Sequence, residues 1–415
     1  MNSEVVERFL KYVKIHTTSK EGVDKIPSTA RQLNLAHLLL KEIQSLGYQD
    51  VKVTENGVVI ANIPSNLPPE QASKIPIICF NSHMDTAPSA PGENVQPRIV
   101  TFKGEPISLE KNPDLQINPQ EIPTFQRFIN TDLIITDGTT LLGADDKAGI
   151  AEIMTALSHL SSNPEIPHGN LKIVFTPDEE VGKGADSISV KEIGAQFGYT
   201  IDGGRMGSIE IENFNAASGT VTVKGYSVHP GFAFGKMKNS MKLVPELLNL
   251  FPPDQTPENT KDYEPYYYPV HLVSTTDETK LVFILRNFDE QDLDRQIKHI
   301  EEGVAQIQAH YSDFPIKLQI KKGYRNMKSI LDQYPEVVSI AKEAIESVGL
   351  EVIEEPIRGG TDGARFSYDG MPTPNIFTGG YNFHSKKEFI PIVAMEKAVE
   401  VILKIIELYV EKFTN

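Results

Sequence analysis

Five short segments of this 415-residue chain place a carboxylate or an imidazole just after an expected strand or at a tight glycine turn. They are His83-Met84-Asp85, Asp145-Asp146, Glu179-Glu180, Asp202 before Gly203-Gly204, and His384 closing Gly379-Gly380-Tyr381-Asn382-Phe383-His384. Side chains alternate along an extended chain, so His83 and Asp85 project to the same side. That suits an imidazole ligand whose second nitrogen is held by a carboxylate. Mixed nitrogen and oxygen donors without thiolate suit zinc, with cobalt or manganese as substitutes. One carboxylate shared between two ions is the usual way to hold them about 3.5–4 Å apart. Read singly, each segment has an ordinary explanation. Asp145 and Asp146 precede a helical face of Ile150, Ile153, Met154, Leu157 and Leu160, where a carboxylate caps free N–H groups. Asp202 before two glycines could be a turn residue, and Glu179-Glu180 a solvated pair. Their recurrence at the ends of apolar strands is what points to metal chemistry.

The elements that must position them follow from periodicity. Apolar runs at 75–80, 171–176 and 199–201 read as strands, the first two buried on both faces. Helices are expected at 5–13, 28–46, from about 146, at 335–348 and at about 393–413, with short strands at 51–54, 58–63 and 352–357. Alternating strands and helices predict an α/β fold, a mainly parallel sheet flanked by helices, with sites at the strand carboxyl ends. Residues 86–128 are Pro-rich and weakly periodic, so a surface excursion with little regular structure is expected there. From about 213 the pattern changes to strand 220–224, helix 236–250, strands 271–274 and 280–288, helix 290–310 and strand 316–321. That βαββαβ order predicts an inserted α+β, ferredoxin-like domain with both helices on one face of an antiparallel sheet. The expected division is 1–212, 213–325 for the insertion, and 326–415.

Composition narrows the partners. Forty basic against 56 acidic side chains leave a net charge of −16, which disfavours nucleic acid and anionic membrane. No apolar stretch approaches the roughly 20 residues needed to span a bilayer. Acids at Glu4 and Glu7 stand where a signal peptide needs positive charge, so the expected location is the cytoplasm. The single cysteine, Cys79, lies in an apolar strand and has no internal partner for a disulfide. No Gly-x-Ser-x-Gly elbow is present, so serine or cysteine nucleophile chemistry is disfavoured.

Over nearly its whole length the chain resembles the co-catalytic zinc metallopeptidases, a family of tripeptide aminopeptidases, carboxypeptidase G and aminoacylases. The segments that carry the likeness are Thr140-Leu141-Leu142-Gly143-Ala144-Asp145-Asp146-Lys147-Ala148-Gly149-Ile150-Ala151-Glu152, Phe175-Thr176-Pro177-Asp178-Glu179-Glu180-Val181-Gly182-Lys183-Gly184, Ile357-Arg358-Gly359-Gly360-Thr361-Asp362-Gly363-Ala364 and Phe377-Thr378-Gly379-Gly380-Tyr381-Asn382. The resemblance implies two zinc ions per subunit bridged by Asp145, with His83 and Asp202 completing one site and Glu180 and His384 the other. It implies that Asp85 orients His83, that Glu179 is the general base acting on metal-activated water, and that the peptide bond after Asp145 is cis. It also suggests that His229, in Ser227-Val228-His229-Pro230-Gly231, donates to the oxyanion when the inserted domain closes as a lid. Without the resemblance, His229 reads equally as a turn histidine before proline. Arg286 and Arg358 are candidate clamps for a substrate carboxylate, since guanidinium meets carboxylate in a two-bond fork. Asn382 is a further polar candidate for substrate binding.

The activity expected from the likeness is removal of the N-terminal residue from short peptides, mainly tripeptides. A carboxypeptidase or N-acyl-amino-acid amidohydrolase on the same scaffold is the alternative among hydrolases, and a non-catalytic zinc-dependent peptide-binding protein the alternative outside them. Retention of Glu179 disfavours the last, because binding alone needs no base. Relatives often pair through the inserted domain, so a homodimer is expected through its exposed strand edge.

Overall fold

Four runs rich in branched and aromatic side chains form the parallel centre of an eight-stranded sheet. They are Leu171–Thr176, Ile78–His83, Phe197–Gly203 and Asn375–Phe377, side by side in that order. In this computed structural model, residues 2–122 and 124–414 are described. Val51–Val53 and Val59–Ile63 extend one edge in antiparallel pairing, and Ser208–Glu210 and Ile353–Glu354 complete the other. Alternate residues of Ile78–His83 enter different cores, as the pleat requires. Ile78 and Phe80 pack with the helices Ala144–Ser162, Ile392–Thr414, Pro335–Ser347, Asn2–Tyr12 and Gln32–Ser45. Cys79 packs on the other side with Val174, Phe366 and Met371, under the short helix Asp362–Tyr368. The expected α/β architecture, a mainly parallel sheet between layers of helix, is the one found.

Boundaries shift where local chemistry outweighs periodicity. The strand expected over 75–80 runs instead from Ile78 to His83, because Pro76 has no N–H to give a ladder. His83 is therefore the last residue of a strand rather than part of the loop after it. The stretch 86–128 departs from the expected surface excursion. Arg98–Thr101 joins a three-stranded sheet with Asp132–Ile135 and Phe389–Pro391, and Ile107–Leu109 pairs with Asn112–Ile117. Phe102, Phe125, Phe128 and Phe389 give it a core of its own, with the Phe102 and Phe125 rings stacked at 4.2 Å. Irregularly spaced aromatics produce no periodicity, yet their large buried area is enough to order a loop-rich segment.

Two compact units divide the chain, the first comprising 1–211, 329–355 and 361–415, the second 212–328 and 356–360. The second unit is built on a four-stranded antiparallel sheet in the order Tyr266–Ser274, Glu278–Asn287, Asn215–Lys224, Ile316–Lys322. Leu243 and Leu247 share its core with Leu293, Ile300 and Val304 of the helix Glu290–His310. The helix expected over 236–250 shortens to Val244–Leu248. Asn239 accepts from the Met241 N–H and starts a separate 3-10 turn, and Pro245 fits only a first helical turn. Among the described residues, no helix is long and apolar enough to cross a membrane.

Candidate metal centre

The helix that follows Gly143 does not begin cleanly. Gly143 has φ +86°, a conformation glycine adopts without a Cβ penalty, and Asp145 and Asp146 have non-helical backbone angles. The peptide between them is cis, as the family resemblance implied. The two aspartates do different things. Asp146 is the capping carboxylate: Oδ1 accepts from the Gly149 N–H at 3.3 Å. Its Oδ2 accepts from the Ser82 hydroxyl and, at 3.1 Å, from the His83 N–H, which ties the helix start to the neighbouring strand. Asp145 faces the strand ends instead.

There Asp145 divides its two oxygens between two imidazoles. Oδ1 lies 2.8 Å from His83 Nε2, and Oδ2 lies 3.0 Å from His384 Nε2. Asp202 Oδ1 is 3.6 Å from His83 Nε2, and Glu180 Oε2 is 2.9 Å from His384 Nε2. The donor atoms of His83, Asp145 and Asp202 all lie within 4.8 Å of one another, and so do those of Asp145, Glu180 and His384. Each trio could hold a metal ion with one carboxylate common to both, leaving a fourth position open. Glu180 Oε1 fits the same reading, since it is buried and has no hydrogen-bond partner among the described residues.

The surrounding groups fix these side chains. Asp85 is fully buried and its Oδ1 lies 3.5 Å from His83 Nδ1, while its backbone carbonyl lies 3.1 Å from the same nitrogen. The Asp85 carboxylate also accepts from the Glu179 N–H at 3.0 Å and the Glu180 N–H at 3.3 Å. Asp362 closes the Glu179–Glu180 loop at both ends, accepting from Thr176 Oγ1 at 2.6 Å and the Ala185 N–H at 2.7 Å. Glu388 holds the turn before Asp145, accepting from the N–H groups of Leu142, Gly143 and Asp145 at 2.7, 2.8 and 3.0 Å. Asp362 sits in a motif that marks the family resemblance without an assigned role. Glu388 follows two lysines, a context that looks like solvated surface and gives no signal.

Electrostatics follow from burying this many acids together. Burial works against charge on Asp145, yet hydrogen bonds from His384 and His83 hold it below the usual carboxylate range. Burial and the nearby Asp145 push Glu180 up to about 8. Glu179 is also raised well above its ordinary value, first by burial and then by neighbouring acids including Asp202 and Asp362. Its Oε2 lies 3.9 Å from His83 Nε2, beside the trios and outside both. Next to Glu180 and His384 opens a cavity of about 430 Å³, walled by Ser19, Lys20, Glu21, Pro88 and Ser89.

The remaining candidates are one residue of the first unit and three of the second. Asn382 is in the first unit, in the turn that carries His384, with φ +56° and its side-chain amide donating to the Lys387 carbonyl at 3.3 Å. His229, Arg286 and Arg358 belong to the second unit. His229 is exposed, and its Nδ1 accepts from the Gly231 N–H at 3.1 Å, which leaves Nε2 to carry the proton. Arg286 donates to the Leu285 carbonyl at 3.0 Å and lies over the Tyr324 ring. Arg358 donates to the Asp262 and Glu264 carbonyls at 2.7 and 2.9 Å and to Thr260 Oγ1 at 2.9 Å.

Residues 135–408 match the description Peptidase family M20/M25/M40. Peptidase T of Caldanaerobacter subterraneus subsp. tengcongensis is 49% identical over 411 residues, covering 99% of this chain and 100% of that protein. Peptidase T of Bacillus subtilis is 45% identical, with 98% of each covered. Among solved structures, a tripeptidase from Staphylococcus aureus superposes with a TM-score of 0.76 and aminopeptidase PepT from Bacillus cereus with 0.73. Both are 22% identical and aligned over 99% of each chain, a likeness that speaks for the fold. From sequence family, full-length relatives and fold together, the chain belongs to peptidase family M20/M25/M40 and, within it, to the peptidase T group of metallopeptidases.

Proposed function

We propose that this chain is an aminopeptidase that releases the N-terminal residue from tripeptides, using two divalent ions, preferably zinc, at the Asp145 cluster. The observation that carries the reading is Asp145 itself, one carboxylate with each oxygen against a different imidazole. His83, Asp145 and Asp202 would hold one ion, and Asp145, Glu180 and His384 the other. When bound, such ions supply a Lewis acid for the scissile carbonyl and lower the pKa of water toward neutrality. The protein's own groups do the rest. Asp85 keeps His83 turned with Nε2 toward Asp145, and through the Glu179 and Glu180 N–H groups it holds the loop that carries the base. Glu179 takes the proton from the attacking water and returns it to the leaving amine. Its half-buried setting beside Asp202 and Asp362 favours the protonated form it must pass through.

His229, with its proton on Nε2, is the proposed donor to the developing oxyanion. Arg286 and Arg358 are the proposed clamps for the peptide C-terminus, with Asn382 a further polar contact. Arg286 is the less committed of the two arginines, since it donates to the Leu285 and Ala217 carbonyls through Nη1 alone, whereas Arg358 commits three hydrogen bonds to the 260–264 loop. A clamp at a fixed distance from the metal centre would make the enzyme measure peptide length. The names carried by its relatives, peptidase T and tripeptidase, support that substrate class. A cytoplasmic location and pairing with a second copy through the second unit complete the proposal.

The test is metal analysis combined with hydrolysis of free, N-acetylated and C-amidated di-, tri- and tetrapeptides. Release of the first residue from free tripeptides, with little turnover of the N-acetylated form, is expected. Preference for N-acyl substrates would move the chain to the amidohydrolase alternative, and equal cleavage of C-amidated peptides would remove the clamp.

A further inference from the structure

The turn that delivers His384 does not end with it. Four residues later the same segment buries Glu388, which is 1% exposed. Its Oε2 accepts from the Leu142 and Gly143 N–H groups, and its Oε1 accepts from the Asp145 N–H. The segment between is braced internally: Ser385 Oγ donates to the Asn382 carbonyl at 2.7 Å and accepts from the Lys387 N–H at 3.1 Å. Across the turn from Glu388 stands another buried ionisable side chain, Lys147, 1% exposed, whose Nζ donates to the Ile15 carbonyl at 2.8 Å. Burial pulls the Lys147 pKa down to about 7, and the nearby Glu388 opposes that shift.

We propose that Glu388 is a positioning residue for the metal centre, fixing the backbone of the turn that aims Asp145 and coupling it to the segment that carries His384. The inference rests on the reading of Asp145 as the shared ligand. Three N–H groups converge on one carboxylate, those of Leu142 and Gly143 in fully buried hydrogen bonds and that of Asp145 in a half-buried one, so the turn has one preferred course only while Glu388 is present. A small rotation of that backbone would swing the Asp145 oxygens away from His83 and His384 together, and both ion sites would loosen at once. Outer-shell partners of metal ligands act in this way, and their loss typically weakens metal affinity or activity by about 10–100-fold.

Glu388→Gln tests it. The amide keeps the shape but turns an NH2 group toward backbone donors that need an acceptor. Zinc titrated calorimetrically into the metal-free protein should bind about 10–100-fold more weakly than to the parent. In the tripeptide assay kcat should fall with KM nearly unchanged, and excess zinc should restore part of the loss. Glu152→Gln is the control: this acid is also fully buried on the Ala144–Ser162 helix, lies outside both trios, and should leave zinc affinity unchanged. Should Glu388→Gln fail to fold, Glu388→Asp carries the test, since the shorter carboxylate cannot reach all three N–H groups. Zinc affinity within twofold of the parent in the folded variant overturns the proposal. Because zinc binding is read without peptide, a parent that binds zinc but leaves tripeptides intact would defeat the proposed activity and not this assignment.

Discussion

At the scale of single residues, neighbouring acids of similar sequence context carry different duties because the backbone aims them differently. Asp145 meets two imidazoles while Asp146 caps a helix, and Glu180 joins a trio while Glu179 stands beside it. Glu179→Gln should therefore keep its metal, by mass spectrometry or atomic absorption, while kcat drops by about 10²–10⁴-fold, the usual worth of a general base. An activity within a factor of ten of the parent would remove Glu179 from the mechanism. Asp145→Asn should instead reduce the metal content to one ion or fewer per chain. Glu152 yields a prediction about stability. Its carboxyl is fully buried, neither oxygen has a hydrogen-bond partner among the described residues, and burial raises its pKa well above the ordinary value. A raised folded-state pKa means that stability is complete below the unfolded pKa, near 4.5, and is lost as pH rises toward the folded one. The parent should thus lose up to about 1.4 kcal/mol per pH unit across that window relative to Glu152→Gln. Thermal melts at pH 5, 6, 7 and 8 should show the variant's advantage growing with pH; a constant gap would contradict the burial argument.

At the scale of elements, the helix Ala144–Ser162 presses against the strand Phe197–Gly203 at Gly149. A Cβ there would stand 2.0 Å from the Ile201 carbonyl oxygen, a backbone atom that cannot rotate away. Gly149→Ala should cost at least the 1–3 kcal/mol typical of overpacking and lower the melting temperature. It should also disturb metal binding, since the same helix start carries Asp145. The edge strand Tyr266–Ser274 bears on the proposed pairing of copies. The opposite edge, Ile316–Lys322, carries Lys317, Lys321 and Lys322, which guard it against pairing, and Pro269 with a bulge guards the first half of Tyr266–Ser274. The second half leaves Leu272 and Val273 exposed. Leu272→Lys with Val273→Lys should convert a dimer to a monomer in sedimentation or light scattering. What the sequence made legible at this scale was whatever is local. Long apolar runs announced the central strands, and caps and glycines announced the long helices. Asn375–Phe377 is three residues long and has no periodicity to read, although it fills the middle of the sheet. The carboxylates of Asp362 and Glu388 were equally silent, because what they do depends on backbone groups 177 to 246 residues away.

At the scale of the whole molecule, a cluster of buried acids and imidazoles gains most from a bound cation, so folding and metal binding should be linked. Chelation should lower the melting temperature, and added zinc should restore it. Linkage gives about 4 kcal/mol for an ion present at 1,000 times its dissociation constant. An unchanged melting curve would argue that the cluster does not hold metal in solution. Asn375–Phe377 pairs with Phe197–Gly203 on one side and with Ser208–Glu210 on the other, yet it is translated more than 160 residues after either. That strand can be added to the sheet only after the entire second unit has been made. Chains terminated prematurely near residue 370 should be proteolysed or aggregate rather than survive as fragments with partial activity, and the cell should contain no peptidase until the last stretch has threaded home.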